Sequence, residues 1–417
     1  MAQLSSDCFA FGGDLMRVED ALALVTARIS PIPETELVCL TEGDGRVLAR
    51  SVAAPINLPG FDNAAVDGYA VCHADLHAGA PTRLAVTGRV AAGSLPKERG
   101  GDGSAVRIFT GAPMPAGTDT VFMQEDARLL EDAQVELPAG LARGANRRMT
   151  GEDILSGAEA LPAGRRLEPR DIALMAALGM TRVDVRRRPR VAVFSTGNEI
   201  CEPGRKLGPA AIYDANRYAL TALLRRSGCV VTDLGILPDN RDAMQAGLSA
   251  ASLAHDLVVT SGGVSAGEED HVRAAIAGCG SLVFWRLAIK PGRPIAMGVM
   301  NGTPLIGLPG NPVAVFVTFA YLVRPLIAAL SGATPIPVLS SMATAGFRYR
   351  KKAGRREYLR VSLERREAQT VAVKYPIDGA GVITSLTRTD GLVELSEERL
   401  YVEPGDPVPF IDYRQLT

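Results

Sequence analysis

Residues 256–270 read DLVVTSGGVSAGEED. An apolar run of Leu257, Val258 and Val259 ends in the hydroxyls Thr260 and Ser261 and the glycines Gly262 and Gly263, with Ser265 close behind. Glu268, Glu269 and Asp270 follow within one turn of an expected helix. Hydroxyls, backbone N–H groups and permissive glycines at a strand end form a cradle for an oxyanion, and carboxylates beside it can hold a divalent cation or a water. Acids also complement the positive end of a helix. On residue types alone the loop reads either as an anion site with Asp270 or Glu269 on a metal, or as an acid-capped turn.

Other loops carry comparable residue types. Ser195, Thr196, Gly197 and Glu199 (STGNE) end a second strand, and Glu199 could orient a ligand or cap a turn. Asp239 opens a helix, a common N-cap position. LAIKPGRP (287–294) sets Lys290 and Arg293 on a loop stiffened by prolines, which fix where the cations point. GLPGNP brings Pro309, Gly310 and Asn311 to the start of a helix. PGFDNAAVDGY (59–69) packs Asp62, Asn63 and Asp67 into one loop, and RIFTGAPMP presents Thr110 between prolines. The basic run RYRKKAGRREYLR (348–360) reads as a solvated edge strand or an oxyanion site, and its two tyrosines make too small a platform for nucleic acid. CHADLH (72–77) has no second ligand pair to make a zinc site. No G-x-S-x-G or Walker loop is present, and no G-x-G-x-x-G follows a strand.

These loops need a frame. At 417 residues the chain calls for two to four domains. A net charge of -1 gives no global pull toward nucleic acid or an anionic membrane, so any basic site must be local. The six cysteines are widely spread and read as reduced thiols. The N-terminal residues lack a signal-peptide pattern, and no apolar run is expected to span a bilayer; the best run, 312–330, is interrupted by Arg324 and Pro325. A cytoplasmic protein is expected. Residues 17–29 have helical spacing. From 51 to 148 short β-like runs alternate with Gly/Pro turns, which reads as an inserted β domain. Residues 151–179 are mixed in character, with a helix over 169–178. After RRRPR (186–190), strands and helices alternate to 330, with helices expected over 214–227, 239–254, 269–277 and 311–330. Such alternation predicts a doubly wound, mostly parallel sheet with ligand-binding loops beyond the strands' carboxyl ends. From 331 the pattern is again β.

The ordered set PGFDNAAVDGYAV, RIFTGAPMPAG, VFMQED, GEDI, VAVFSTGNEI, IYDANRYAL, TSGGVSAGEEDHV, FWRLAIKPGRPIAMG and GLPGNPVAVFVTF closely resembles the MoeA family, the molybdopterin molybdenumtransferases related to the E domain of gephyrin. The resemblance runs from about Arg17 to near the C-terminus. It implies a multidomain α/β protein: a small mixed domain of residues 30–50 and 149–179, a β insert at 51–148, a molybdopterin-binding α/β domain at 180–330 joined by the helix of 17–29, and a C-terminal β domain at 331–417. It implies that adenylylated molybdopterin and molybdate are substrates, that molybdenum is inserted at the dithiolene and that AMP leaves with Mg²⁺ assistance. It implies a homodimer with the cleft between subunits. Partners in the wider sense are the adenylyltransferase upstream and acceptor molybdoenzymes, with neither nucleic acid nor membrane. Lys290 matches the family's molybdate-site lysine, and Asp270, Glu199 and Asp239 match active-site acids, with Asp270 and Glu199 implied on Mg²⁺. Asp67 and Thr110 match residues that close the cleft from the partner subunit, and Arg355 matches an arginine of the oxyanion site. The 260–265 cradle, Arg286, Arg293, Pro309, Gly310 and Asn311 are implied in substrate binding.

Arg286 and Arg293 stand where the family often has lysine; the charge is kept, but a guanidinium binds as a planar fork and not as a point charge. Where the family often has a molybdate-touching serine the matching position is Gly381, with Ser385 the nearby substitute. The resemblance leaves two alternatives: a gephyrin-like scaffold, for which no linker or fused domain is evident, and a molybdopterin adenylyltransferase, against which the β insert and C-terminal domain speak.

Overall fold

A computed structural model describes residues 15–26, 29–238, 241–263, 272, 280–367 and 369–417. Its central unit is a six-stranded sheet of β1 (Arg190–Thr196), β2 (Val230–Leu237), β3 (Leu257–Ser261), β4 (Gly280–Arg286), β5 (Pro294–Met300) and β6 (Thr303–Leu308), in the order β2-β1-β3-β6-β5-β4. The pairs β1/β2, β1/β3 and β3/β6 are parallel; β5 runs antiparallel to both β6 and β4. Alternation along the strands divides the core. Val191, Val193, Leu257, Val259, Ile306 and Leu308 face α1 (Val18–Thr26), α2 (Asn216–Arg226) and α4 (Pro312–Leu330). Ala192, Phe194, Val258 and Leu305 face Met244, Leu248 and Ala251 of α3 (Arg241–Ala254) and Val272. Apolar residues on both faces of β1 and β3, with a helix layer on each side, are the hallmark of a doubly wound sheet. The expected helix at 269–277 lies outside the described residues, apart from residue 272.

The helix α4 corrects one expectation. Its 19 residues have a mean hydropathy of 2.1, so length and composition would suffice to cross a membrane, and neither Arg324 nor Pro325 breaks it. It is 67% buried, packing its apolar faces into the sheet. Pro325 is tolerated because it falls in the first turn after a π-helical segment, Phe319–Val323, and Arg324 reaches the carbonyl of Gln415 at 2.8 Å.

A second sheet, in the insert, orders its strands Thr120–Met123, Gly68–Val71, Ser104–Ile108, Thr82–Val90, Gln134–Leu137 and Arg128–Leu129. Gly68 stands where a Cβ would lie 1.6 Å from the carbonyl oxygen of Phe122. The flanking chain returns as two small pairings, Thr35–Cys39 with Arg182–Arg186 and Val52–Ala53 with Glu159–Leu161, around Leu48, Leu167 and Met175 of the helix Pro169–Ala177. The strand Arg182–Arg186, expected in the α/β unit, therefore pairs with the small mixed unit instead. At the C-terminal end the strands Arg356–Arg366, Gln369–Lys374, Ser341–Ala345, Pro407–Asp412 and Gly391–Leu395 close on themselves as a barrel, because the first also pairs with the last. A short strand from the α/β unit, Ile289–Lys290, adds to this barrel in parallel with Arg356 and Glu357.

Gly68→Ala is expected to disrupt the pairing of Gly68–Val71 with Thr120–Met123, because a backbone carbonyl cannot yield to a Cβ. The expected loss is about 3 kcal/mol of insert stability, read as faster hydrogen exchange in the insert's strands while the amides of β1 and β3 keep their protection.

Candidate active site

The carboxyl ends of β1, β3 and β6 lie side by side, with Ser195 opposite Ser261 and Ser261 opposite Leu308. The hydroxyls there do not point outward as the residue types suggested. Thr260 is fully buried, and its hydroxyl and that of Thr196 have no hydrogen-bond partner among the described residues. Ser261 is buried and works as a latch: its Oγ accepts from Asn216 Nδ2 at 2.9 Å and donates to the Pro309 carbonyl at 3.3 Å. The same Asn216 amide donates to the Gly310 carbonyl at 2.7 Å. One side chain at the start of α2 thus ties the β3 and β6 loops together. What faces outward is backbone and exposed side chain: Gly262 and Gly263, with φ of 89° and 66°, then Gly310 and Asn311. A Cβ on Gly262 would come within 2.5 Å of the Thr196 carbonyl oxygen, so only glycine allows this turn. Asn311 begins α4 without using its side chain as a cap. Glu199 is exposed beyond β1, its carboxylate folded back over Gly197, where a Cβ would lie 2.6 Å from its Oε2.

Behind these loops lies a buried ionic network. Arg217, 3% exposed, donates from Nε to Asp214 at 2.9 Å and pairs with Asp233 and Glu202. Asp214 also accepts from Ser195 Oγ at 3.1 Å, and Glu202 from the Tyr218 hydroxyl at 2.6 Å. Burial opposes the Arg217 charge, but three carboxylates outweigh it and hold the guanidinium protonated. The residues Asp214, Asn216, Arg217 and Glu202 escape a reading of single loops. The available signal is DANR at the junction of a strand and a helix, where an Asp and an Arg three apart share one face.

A second group forms where Ile289–Lys290 joins the barrel. Lys290 Nζ donates to the Tyr349 hydroxyl at 2.9 Å and to Glu357 Oε2 at 3.2 Å; Tyr349 donates to the same carboxylate at 2.6 Å, and Arg355 Nε to its Oε1 at 2.8 Å. Burial works against the lysine charge, yet Tyr349 and Glu357 raise its pKa above the ordinary value, so it stays a cation. Burial and Glu357 push the Tyr349 hydroxyl up, so it stays protonated. Arg293 is exposed nearby in sequence, while Arg286 ends β4. Another loop of the C-terminal unit touches the start of α4: Val313 N–H donates to the Ala380 carbonyl at 2.9 Å, and a Cβ on Gly381 would lie 3.6 Å from Asn311 Oδ1. Ser385 is not a surface substitute for the missing serine. It is fully buried, accepting from Arg360 Nε at 3.0 Å and donating to the Val382 carbonyl at 2.6 Å.

The third group is in the insert. Thr110 donates to Asp67 Oδ1 from its N–H at 2.8 Å and from its hydroxyl at 2.7 Å, holding the acid below its usual pKa, with Arg107 adding to the effect. Neither residue has a described hydrogen bond to the strand-end loops or to Lys290. Asp239, Ser265 and Asp270 lie outside the described residues. Among the described residues no three His, Cys, Asp or Glu side chains are grouped for a metal. A cavity of 880 Å³ lined by α1, the second half of α4 and the segment 333–340 contains none of these strand-end residues.

The geometry defines a multidomain α/β protein with a glycine-built turn at its strand ends and a lysine–arginine cluster held by a barrel. The family description "MoeA N-terminal region (domain I and II)" matches residues 16–179, "Probable molybdopterin binding domain" matches 192–329, and "MoeA C-terminal region (domain IV)" matches 342–413. The chain is 39% identical over 391 residues to a molybdopterin molybdenumtransferase of Haemophilus influenzae, covering 93% of this chain and 96% of that protein. It is 40% identical over 306 residues to one from Nostoc, covering 72% and 70%. A solved molybdopterin biosynthesis MoeA protein from Pyrococcus horikoshii superposes with a TM-score of 0.82 at 29% identity, covering 96% of this chain and 100% of that one. This chain belongs to the molybdopterin molybdenumtransferase (MoeA) family, whose enzymes act in molybdenum cofactor biosynthesis.

Arg217→Met is expected to lower stability by about 3–5 kcal/mol, because it leaves the buried carboxylate of Asp214 without its counterion; the midpoint of chemical denaturation reads this. A pH dependence is expected from Asp62. The Thr150 N–H at 2.8 Å and hydroxyl at 2.7 Å, assisted by Arg147, hold it at about 2. A carboxylate depressed in the folded state adds stability that is fully present above its unfolded pKa and is lost as pH falls toward 2. After allowance for its partial exposure this amounts to about 1–2 kcal/mol. Thermal unfolding between pH 5 and pH 2 checks it: the decline should be shallower in Asp62→Asn.

Proposed function

We propose that this protein inserts molybdenum into adenylylated molybdopterin and releases AMP, working as a homodimer and assisted by Mg²⁺. The observation that supports this reading best is the pairing of Ile289–Lys290 with Arg356 and Glu357, which brings a protonated lysine and an arginine onto one carboxylate where the α/β unit meets the barrel. Molybdate is a tetrahedral dianion, and two fixed cations plus backbone donors are the groups that hold one. On this reading the pyrophosphate of the second substrate meets the turn of Gly262 and Gly263, with the exposed Asn311 amide and Arg293 as further donors. On this reading Lys290 and Arg355 hold the oxyanion over the dithiolene. Asp67 and Thr110 of the partner subunit close the cleft, in keeping with the absence, among the described residues, of a hydrogen bond from either to the strand-end loops or to Lys290.

Mg²⁺ usually takes only one or two carboxylates from a protein and completes its shell with water and phosphate oxygens. The exposed carboxylate of Glu199 fits that demand, and the reading gives Asp270 the second position. When bound, the ion neutralises pyrophosphate charge as the phosphoanhydride breaks. Upstream, the reading requires an enzyme that adenylylates molybdopterin; downstream, an acceptor molybdoenzyme. It makes the cytoplasm the site of the reaction.

Purified protein given adenylylated molybdopterin should release AMP only when molybdate and Mg²⁺ are both present. Lys290→Ala should raise the molybdate concentration at half-maximal rate by about 10- to 100-fold, the loss of one charge-assisted contact or slightly more. AMP release independent of molybdate, or an unchanged molybdate titration in the variant, would count against the reading. A monomer by sedimentation would remove the proposed role of Asp67 and Thr110.

A further inference from the structure

Glu357 is the most deeply buried carboxylate in the described site. The residue is 0% exposed, yet three donors end on it: Lys290 Nζ, the Tyr349 hydroxyl and Arg355 Nε. A part-exposed cation adds little to stability by pairing, while a buried carboxylate must be satisfied by its donors. Here the acid is hidden and the cations are not: the side chains of Lys290 and Arg355 are 47% and 30% exposed. The ammonium group has three N–H bonds, and the described contacts use two of them; the guanidinium has five, and the described contact uses only Nε. Tyr349 completes the arrangement. Its hydroxyl accepts from Lys290 and donates to Glu357, and its ring lies under two ammonium groups, Lys290 at 5.6 Å and Lys374 at 5.8 Å.

We propose that Glu357, assisted by Tyr349, is a positioning residue: from beneath, it aims Lys290 and Arg355 so that their remaining N–H groups are offered to one tetrahedral oxyanion. The carboxylate anchors a lysine from the α/β unit and an arginine from the barrel on its two different oxygens, and so sets the spacing between cations that no single segment carries. It also offsets one of the two positive charges, leaving a net single charge for a dianion. Such a site binds the oxyanion and can still let it go to the sulfur ligands. This inference rests on the oxyanion being a substrate at Lys290, as proposed above.

The full-length protein and the variants Glu357→Gln and Tyr349→Phe test it. Two quantities are measured: the molybdate dependence of AMP release, and the equilibrium dissociation constant of tungstate alone by calorimetry. Glutamine keeps the shape but cannot hold both cations, so the molybdate KM and the tungstate Kd should each rise about 10-fold, the scale of one charge-assisted hydrogen bond. Tyr349→Phe should raise both by about threefold. The KM for adenylylated molybdopterin should stay within about twofold and kcat within about threefold in either variant, a split that general loosening of the fold would not give. Unchanged or tighter tungstate binding in both variants would overturn the proposal. Should Glu357→Gln fail to fold, Tyr349→Phe decides alone. An absence of AMP release by the unaltered protein would overturn the proposed reaction instead, while the tungstate measurement still decides the role of Glu357.

Discussion

Two residues of parallel pairing, Ile289–Lys290 against Arg356–Glu357, join the α/β sheet to the C-terminal barrel at the point where the cations gather. Most of the site depends on this junction. Lys290 is carried on a loop between β4 and β5, and its exposed ammonium would be free to wander on four methylenes. The barrel removes that freedom by supplying the Tyr349 hydroxyl and the Glu357 carboxylate as fixed acceptors. The loop is seated from the other side as well: Gly292 packs so closely on α4 that a Cβ would lie 2.5 Å from Thr318 Cγ2. The same helix begins at Asn311, against the 379–383 segment of the barrel. Barrel, loop and α4 therefore hold one another, and the β6 loop that leads into α4 is placed with them.

The second constraint is charge at depth. Burying Arg217 near the strand ends would be prohibitive without acids, and Asp214, Asp233 and Glu202 offset that cost. The network repays its expense in placement. Asp214 holds both Arg217 and Ser195, so the first turn of α2 is fixed relative to the end of β1. Asn216, in that same turn, then latches Ser261 to the β6 loop. Ser261 and the β6 loop are tied to a helix start that is itself anchored, and Gly262 supplies the turn that a Cβ would not allow.

The alternation of strands and helices after RRRPR made the α/β sheet legible, since period and breaker residues carry that information locally. The family was legible from nine ordered motifs, now matched along the chain. What was not legible were directions and long-range partners. Thr260 and Ser261 have the residue types of ligand-binding hydroxyls, but the pleat turns Thr260 into the core and Asn216 occupies Ser261. Glu357 sits in a run of basic residues where it reads as an incidental acid; only the pairing with a strand 67 positions earlier makes it the centre of the cluster. The strand Arg182–Arg186 falls inside the 180–330 boundary that the resemblance implies, yet its partner Thr35–Cys39 lies far back in the chain. Periodicity predicts that a strand exists, while the choice of neighbour is decided by what the rest of the fold leaves unpaired.

Asp67 and Thr110 show how far one chain can go. Their hydrogen bonds fix the acid in a single rotamer and keep it ionised, an arrangement that costs side-chain freedom. Among the described residues the pair has no hydrogen bond to the strand-end loops or to the lysine cluster. On the proposed reading the pair acts across a two-fold axis. The insert of one subunit would present Asp67 to the cleft of the other, each cleft would contain groups from both chains, and catalysis would be lost on dissociation even though every domain remained folded.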